Sequence, residues 1–406
     1  MIYIRKIPKD NPEIGFSRFA SLRPKNCVLA GSSGTHAVCV CTYHQNPILL
    51  IDALGLGDLT VDDLLDHAVC DTANRDCMMQ ACAHCPGAES VYEFLRLASS
   101  DGEGDDDVED DEVRYKQWVS TDRCQLKDIT ETRDECLRYL SRQIKSLTVH
   151  HYRAWAQSGY FSRLKDTVLD GEVVVQGDFA ENYSFVVQDE AQGFHWDTSQ
   201  CTVHPYVAYW RVQGKLHHQS FCCISDATKH DTAMVHAFNN EVISEIRKDI
   251  PGLKKVHYFT DGCAAQYKNR KNFVNICHHE DDFGVPCEWN FFATAHGKGA
   301  CDGIGGTVKR AVYRESLRRP MREQILDAET MFRYLTEQFE TRIRFIFVSK
   351  EKVEQTAVKL HRRFAKAFLI KGTKGFHRFT PVSQCSIMVR ELSADDGGKI
   401  KSCCRQ

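Results

Sequence analysis

A chain of 406 residues, 42% hydrophobic and 26% charged, is long enough to bury a catalytic-sized core plus one or two smaller units and has an ordinary globular composition. No apolar run reaches the roughly 18 residues of a membrane span, and the opening MIYIRKIPKDNPEIG lacks a signal-peptide core, so an intracellular protein, not secreted and with no membrane partner, is expected. The net charge of −3 hides a split: residues 101–112 carry nine acidic side chains and no basic one, and without them the balance is +6. Nineteen cysteines in a reducing compartment are expected to stay free of disulfides, which makes the clustered ones candidate metal ligands.

In chain order, residues 27–98 are rich in Cys and His and read as a small zinc-binding module. Tetrahedral zinc needs four N or S ligands, and short pairs supply two from one turn. Cys41-x2-His44 and Cys82-x2-Cys85 make the simplest set, with Cys39, Cys70 and Cys77 as alternatives. The acidic run within 99–112 repels itself and reads as a disordered linker. Residues 113–170 read as a helical connector, with Leu137, Leu140, Ile144 and Leu147 at helical spacing. From 171 to 320 strands come first (EVVVQGDF, YSFVV, TVHPYVAYWRV, HQSFCCIS), then helices alternate with strands. That order predicts an α/β fold with an RNase H-like core, a mixed sheet and flanking helices. Residues 321–406 read as a basic helical and β extension.

Phosphodiester chemistry on such a core requires divalent ions held by carboxylates, because hard Mg²⁺ or Mn²⁺ prefers oxygen ligands. Asp178 ends the apolar strand EVVVQGD and Asp261 ends KVHYFTD, while Asp302 follows CEWNFFATA across the loop HGKGAC and opens the next helix. Each sits where an apolar element delivers one carboxylate to a polar edge. Any one alone is more simply a turn or helix-capping residue; three in this order make a candidate site for two Mg²⁺ or Mn²⁺ ions.

The segments GDFAENY, FTDGCAAQYKNRKNF and FFATAHGKGACDGIGGTVKR resemble the catalytic blocks of transposon-encoded DD(D/E) transposases of invertebrate genomes. The resemblance covers 172–320 and extends weakly to the cysteine-rich segment. It implies that Asp178, Asp261 and Asp302 are the catalytic triad. The third member is an aspartate where glutamate is commoner, which leaves Glu315 as a rival on the same helix.

Around the triad, His296, Lys298, Asp226 and His230 are candidates for active-site support, while Glu181 reads as a turn residue on the opposite face. Arg310, Arg314 and Arg318 recur every fourth residue, and with Lys309, Lys268, Arg270 and Lys271 they are candidate DNA phosphate contacts. The function expected is a nuclear transposase or integrase-like nuclease acting on DNA, as an oligomer on DNA ends, with structural zinc. The competing expectations are a domesticated, non-catalytic DNA-binding or chromatin protein and a truncated transposase relic.

Overall fold

The structure is a computed structural model that describes residues 40–99, 111–121, 124–187, 199–297 and 299–405. The chain divides into two units, Met1–Cys41 and Thr42–Gln406. Only Val40 and Cys41 of the first are described, and every helix and strand below belongs to the second. Cys39, Lys298 and the acidic residues 101–110 lie outside the described residues.

The second unit begins with four helices, α1 (Thr42–Ala53), α2 (Val61–Ala68), α3 (Arg75–Met78) and α4 (Gly87–Ser99). A hairpin follows, β1 (Glu112–Ser120) and β2 (Cys124–Thr132), and then the 35-residue helix α5 (Arg133–Thr167). The connector expected to be helical over 113–170 is therefore helical only from Arg133. Tyr115, Trp118 and Ile129 are aromatic or β-branched and suit a pleated, half-buried surface, so the first part pairs as a hairpin. Thr132 and Glu135 then form a reciprocal capping box that starts α5. Its first half contributes Cys136, Leu137, Leu140, Ile144 and Leu147 to one core with Leu50, Leu64, Met78, Val91 and Leu95 of the preceding helices.

Its second half lies on a large mixed sheet. This is built from β3 (Glu172–Gly177), β4 (Tyr183–Ser184), β5 (Gln200–Val212), β6 (Lys215–Ser225), β7 (Lys255–Thr260) and β8 (Cys287–Phe291), with helices α6 (Thr232–Asp249), α7 (Arg270–Cys277), α8 (His279–Phe283) and α9 (Ala300–Ser316). The chain continues through α10 (Ala328–Phe339), β9 (Ile343–Phe347), α11 (Lys350–Ala365), β10 (Arg378–Ser383), β11 (Ser386–Arg390) and β12 (Lys399–Ser402). The strand order is β12-β11-β10-β8-β7-β3-β5-β6-β9, with β4 beside β5. At its centre β6, β5 and β3 run antiparallel in sequence, and β7 and β8 join β3 in parallel. This is the order of an RNase H-like core, as the sequence predicts.

Alternation along the strands explains how both faces are filled. Val173 and Val175 face Phe238, Val242 and Ile246 of α6, whereas Val174 meets the other face with Phe259, Phe292 and Phe161 of α5. Val308 and Val312 of α9 cover Val203 and Ile224 on that second side. Buried Gln157 of α5 ties the helix to the sheet by donating to the Phe291 carbonyl (2.8 Å) and accepting from Ser393 N (2.9 Å). Among the described residues no helix is long and apolar enough to cross a membrane. One expectation fails outright: Cys385, at the β10–β11 turn, is disulfide-bonded to Cys404, because the fold brings their α-carbons to 5.0 Å.

Glu288 on β8 is fully buried, yet ionic. Its carboxylate meets Arg378 (2.7 Å), Lys255 (3.0 Å) and His257 (3.0 Å), and His257 meets Glu172 (2.8 Å). Burial alone raises a carboxyl pKa, but the hydrogen bond from His257 and the charges of His257, Arg378 and Lys255 outweigh it and hold Glu288 well below the usual range. Glu288→Ala leaves Lys255 and Arg378 facing a low-dielectric gap; they are partly solvated, so about 3 kcal/mol is expected, the lower end for breaking a buried pair. Urea unfolding should show that loss near neutral pH. The difference should shrink on acidification, since a depressed carboxyl contributes stability above its unfolded pKa and loses it as pH falls through the folded one. An unchanged urea midpoint would show the network to be dispensable.

Candidate active site

Strands β3 and β7 are parallel neighbours whose paired residues, from Glu172 with Lys255 to Gln176 with Phe259, all differ by 83 in number. Asp178 and Asp261 continue that register just beyond the strand ends. They therefore leave the sheet side by side at its C-terminal edge, with the same parity, on chains roughly 4.8 Å apart. The backbone N–H of Asp178 donates to the Pro205 carbonyl (3.3 Å), and the Asp261 carboxylate accepts from Cys263 N (3.1 Å).

Asp302 arrives from the first turn of α9. Its carboxylate accepts from Gly299 N (2.9 Å), and the adjacent Cys301 thiol points to the Gln176 carbonyl (3.7 Å) at the end of β3. The helix start is pressed onto the strand end by absent side chains. A Cβ on Gly299 would lie 2.5 Å from Gln176 Nε2, one on Gly305 3.1 Å from Ala180 Cβ, and one on Gly297 3.1 Å from Asp261 Cβ. These contacts account for the glycines of the HGKG loop and for Gly305, whereas a Cβ on Gly303 would meet open space.

The result is a groove of about 250 Å³ lined by Asp178, Glu181, Asp302, Gly306 and Lys309 among others. Burial, with repulsion from Asp261 and Asp302, pushes the Asp178 carboxyl up to about 7. Burial also raises Asp261, against the lowering effect of the Cys263 N–H. Among the described residues no Lys or Arg forms an ion pair with any of the three. Two desolvated carboxylates, Asp178 and Asp261, with the exposed Asp302 adding its charge beside Asp178 and no basic ion-pair partner for any of them, fit a divalent cation bound by oxygen ligands.

Several expected neighbours fall elsewhere. Glu315, the rival third carboxylate, is engaged by Arg319 (2.9 Å). Asp226 accepts from Lys350 N (2.7 Å) and serves the start of α11, so it is no part of the groove. His230 supports the wall, stacking on Phe179 (4.3 Å) and meeting Asn182 (2.7 Å) and Thr202 (3.1 Å). Glu181, expected to face away, lines the groove because the chain has already left the strand and alternation no longer applies. Beneath Phe179 lies a fully buried pair that sequence reasoning missed, His204 and Tyr267 at 2.6 Å. Only their apolar surroundings in the fold mark them.

Of the basic residues, Arg310 and Arg314 are exposed along α9 and Arg318 is exposed in the turn after it, while Lys309 turns into the groove. Arg270 and Lys271 are exposed at the start of α7, which Asn269 caps, with the Lys271 ammonium over the Phe364 ring (5.3 Å). Lys268 departs from the expected row. Its ammonium sits over Phe291 (5.0 Å), and burial, with the charge of Arg153, lowers it to about 8.

The expected zinc set of Cys41, His44, Cys82 and Cys85 is divided differently. Cys82 and Cys85 assemble with Cys70 and Cys77, all four sulfurs within 4.8 Å of one another. Asn74 caps α3 and thereby presents Cys77 from its first turn. His44 instead meets His150 of α5 and His296. Local spacing misled because α1 directs His44 at the middle of α5, where the doublet His150-His151 was the overlooked signal.

Residues 157–393 match the family described as "Domain of unknown function (DUF8701)", and residues 42–148 match "Domain of unknown function (DUF8700)". No curated protein matches the chain. It is similar to a solved structure described as "Crystal structure of a pre-cleavage Mos1 transpososome", at 10% identity and a TM-score of 0.23 over 80% of this chain and 97% of that one; so low a likeness carries no argument.

Proposed function

Since the chain belongs to the family described as "Domain of unknown function (DUF8701)", a description that assigns no activity, we propose from the site itself that it is a transposase-type polynucleotidyl transferase, cutting DNA and joining the freed end to a second strand. The observation that carries this reading is the lateral pairing of Asp178 and Asp261 at the ends of adjacent parallel strands, closed by Asp302 from α9. Asp178, Asp261 and Asp302 would hold two Mg²⁺ or Mn²⁺ ions, which would supply Lewis acidity for the attacking and leaving oxygens. Lys309 offers its ammonium to the phosphate from the groove wall, and Gly303 leaves room for a DNA backbone to approach. Residues 171–320 form the catalytic core in this reading, the thiolates of Cys70, Cys77, Cys82 and Cys85 hold a structural zinc, and the protein acts in the nucleus as an oligomer on DNA ends.

The test is nicking or strand transfer on plasmid DNA. Activity is expected with Mg²⁺ or Mn²⁺ and not with Ca²⁺; plasmid left intact at every metal concentration would overturn the reading. The exposed arginines of α9 allow a separate check. Arg314→Ala should weaken DNA binding and reduce the slope of log affinity against log salt by about 0.9, the value for one lost phosphate contact. Turnover at saturating DNA should stay unchanged, and an unaltered salt slope would remove Arg314 from the DNA path.

A further inference from the structure

Three imidazoles from distant parts of the second unit converge: His44 from α1, His150 from the middle of α5, and His296 from the loop between β8 and α9. Their ring centroids are 5.0–5.3 Å apart, and their nearest nitrogens all lie within 4.8 Å of one another. His150 Nε2 and His296 Nε2 face each other at 3.0 Å. In a tetrahedral zinc site with Zn–N bonds of 2.0–2.1 Å, two ligand nitrogens are roughly 3.3 Å apart, so this pair already has the separation of one tetrahedron edge. A hydrogen bond between those two rings leaves the third ring unexplained, because His44 Nδ1 is buried and has no hydrogen-bond partner among the described residues. The other nitrogen of His44 sits 3.4 Å from His151 Nδ1, an outer contact of the kind that fixes the tautomer of a metal-bound histidine.

We propose that His44, His150 and His296 bind a zinc ion, separate from the four-thiol site, that pins the loop between β8 and α9 to α1 and α5. Imidazole nitrogen is a preferred donor for zinc, and the ligand form is the neutral ring. Burial, with repulsion among the neighbouring histidines, lowers both His44 and His150 to about 4, so both are neutral near pH 7. The pinned loop matters to its surroundings. Gly297, next to His296, lies against Asp261, where a Cβ would come within 3.1 Å of the aspartate's own. Fixing His296 therefore fixes the backbone that abuts Asp261. The inference stands on ligand geometry and does not depend on what Asp261 does.

The experiment is metal analysis of the full-length protein, purified under reducing conditions and exchanged into metal-free buffer. His150→Ala and His296→Ala should each lose one equivalent of zinc per chain relative to the unaltered protein. After cobalt substitution both variants should keep the intense sulfur-to-cobalt charge-transfer bands, which report the four-thiol site and show that the chain around α3 is folded. Cys82→Ser should give the converse, losing those bands while the imidazole-bound equivalent remains. Zinc content equal to the unaltered protein in both histidine variants overturns the proposal. Should the histidine variants fail to fold, zinc K-edge absorption of the unaltered protein decides: imidazole scattering beside sulfur supports the site, and a spectrum of sulfur alone overturns it.

Discussion

Asp261→Asn should abolish Mg²⁺- or Mn²⁺-dependent DNA cleavage while leaving the fold intact. The amide has nearly the volume of the carboxylate and still accepts a hydrogen bond from Cys263 N, now 3.1 Å away, so the local turn has no reason to open. What would be lost is one of the negative ligands proposed to hold the cations. Metal-ion catalysis supplies several kcal/mol of transition-state stabilisation, and each 1.36 kcal/mol is tenfold in rate, so a loss on the order of 10²–10³ or more is expected. Relief of repulsion gives a second readout. With Asp261 neutral, one of the charges that raise Asp178 is gone, and its carboxyl should titrate lower than in the unaltered metal-free protein. Paramagnetic titration with Mn²⁺ should show weakened binding beside an unchanged circular dichroism spectrum. Cleavage that persists at the original rate would remove this triad from the chemistry.

Removing the zinc proposed for the four thiolates should have the largest effect on stability. Structural zinc binding contributes roughly 10–16 kcal/mol in small zinc-finger peptides at neutral pH, comparable to the whole stability of a typical domain at about 5–15 kcal/mol. Cys77 comes from α3, a helix of only four residues, and Cys70, Cys82 and Cys85 from the chain on either side of it. Cys82→Ser combined with Cys85→Ser is therefore expected to release zinc and strip hydrogen-exchange protection from α1–α4 and the first half of α5. Protection of β3, β7 and β8 should persist, because their core is separate. Protection of α1–α4 that survives zinc release would mean that the apolar core alone suffices. A fragment ending near residue 98 is a poor vehicle for this test, since Leu137, Leu140, Ile144 and Leu147 complete the same core.

The sequence made the sheet legible because its strands are extreme. EVVVQG, KVHYFT and CEWNF are buried along nearly their whole length, and such apolar runs ending in one polar residue mark both the strand and the residue it delivers. The positions of Asp178 and Asp261 at strand ends and of Asp302 at a helix start were readable because each is tied to a local boundary. The hairpin over 112–132 was not, because most of its residues are partly or fully exposed and its alternation is weak. Ligand partnership was also hidden. His44 has its neighbours 106 and 252 positions away in His150 and His296, a proximity that local spacing cannot encode. The contrast between Glu181 and Asp226 has the same origin: whether a carboxylate near a strand end joins a site depends on which way the chain turns after it.

Helix α5 has a consequence for how the two matched regions fit together. The matches to 42–148 and 157–393 meet inside it, across residues 149–156, where a linker is ordinarily sought. At 1.5 Å per residue its 35 residues make a shaft about 52 Å long, with Leu147 in one core and Phe161 in the other. The shaft therefore sets a phase. One residue added or removed within 149–156 turns one half relative to the other by about 100° and shifts it by about 1.5 Å. Apart from His150 and His151, which face His44, the junction of the two halves can then vary in amino-acid identity more freely than in length, the reverse of what is found where domains are joined by loops.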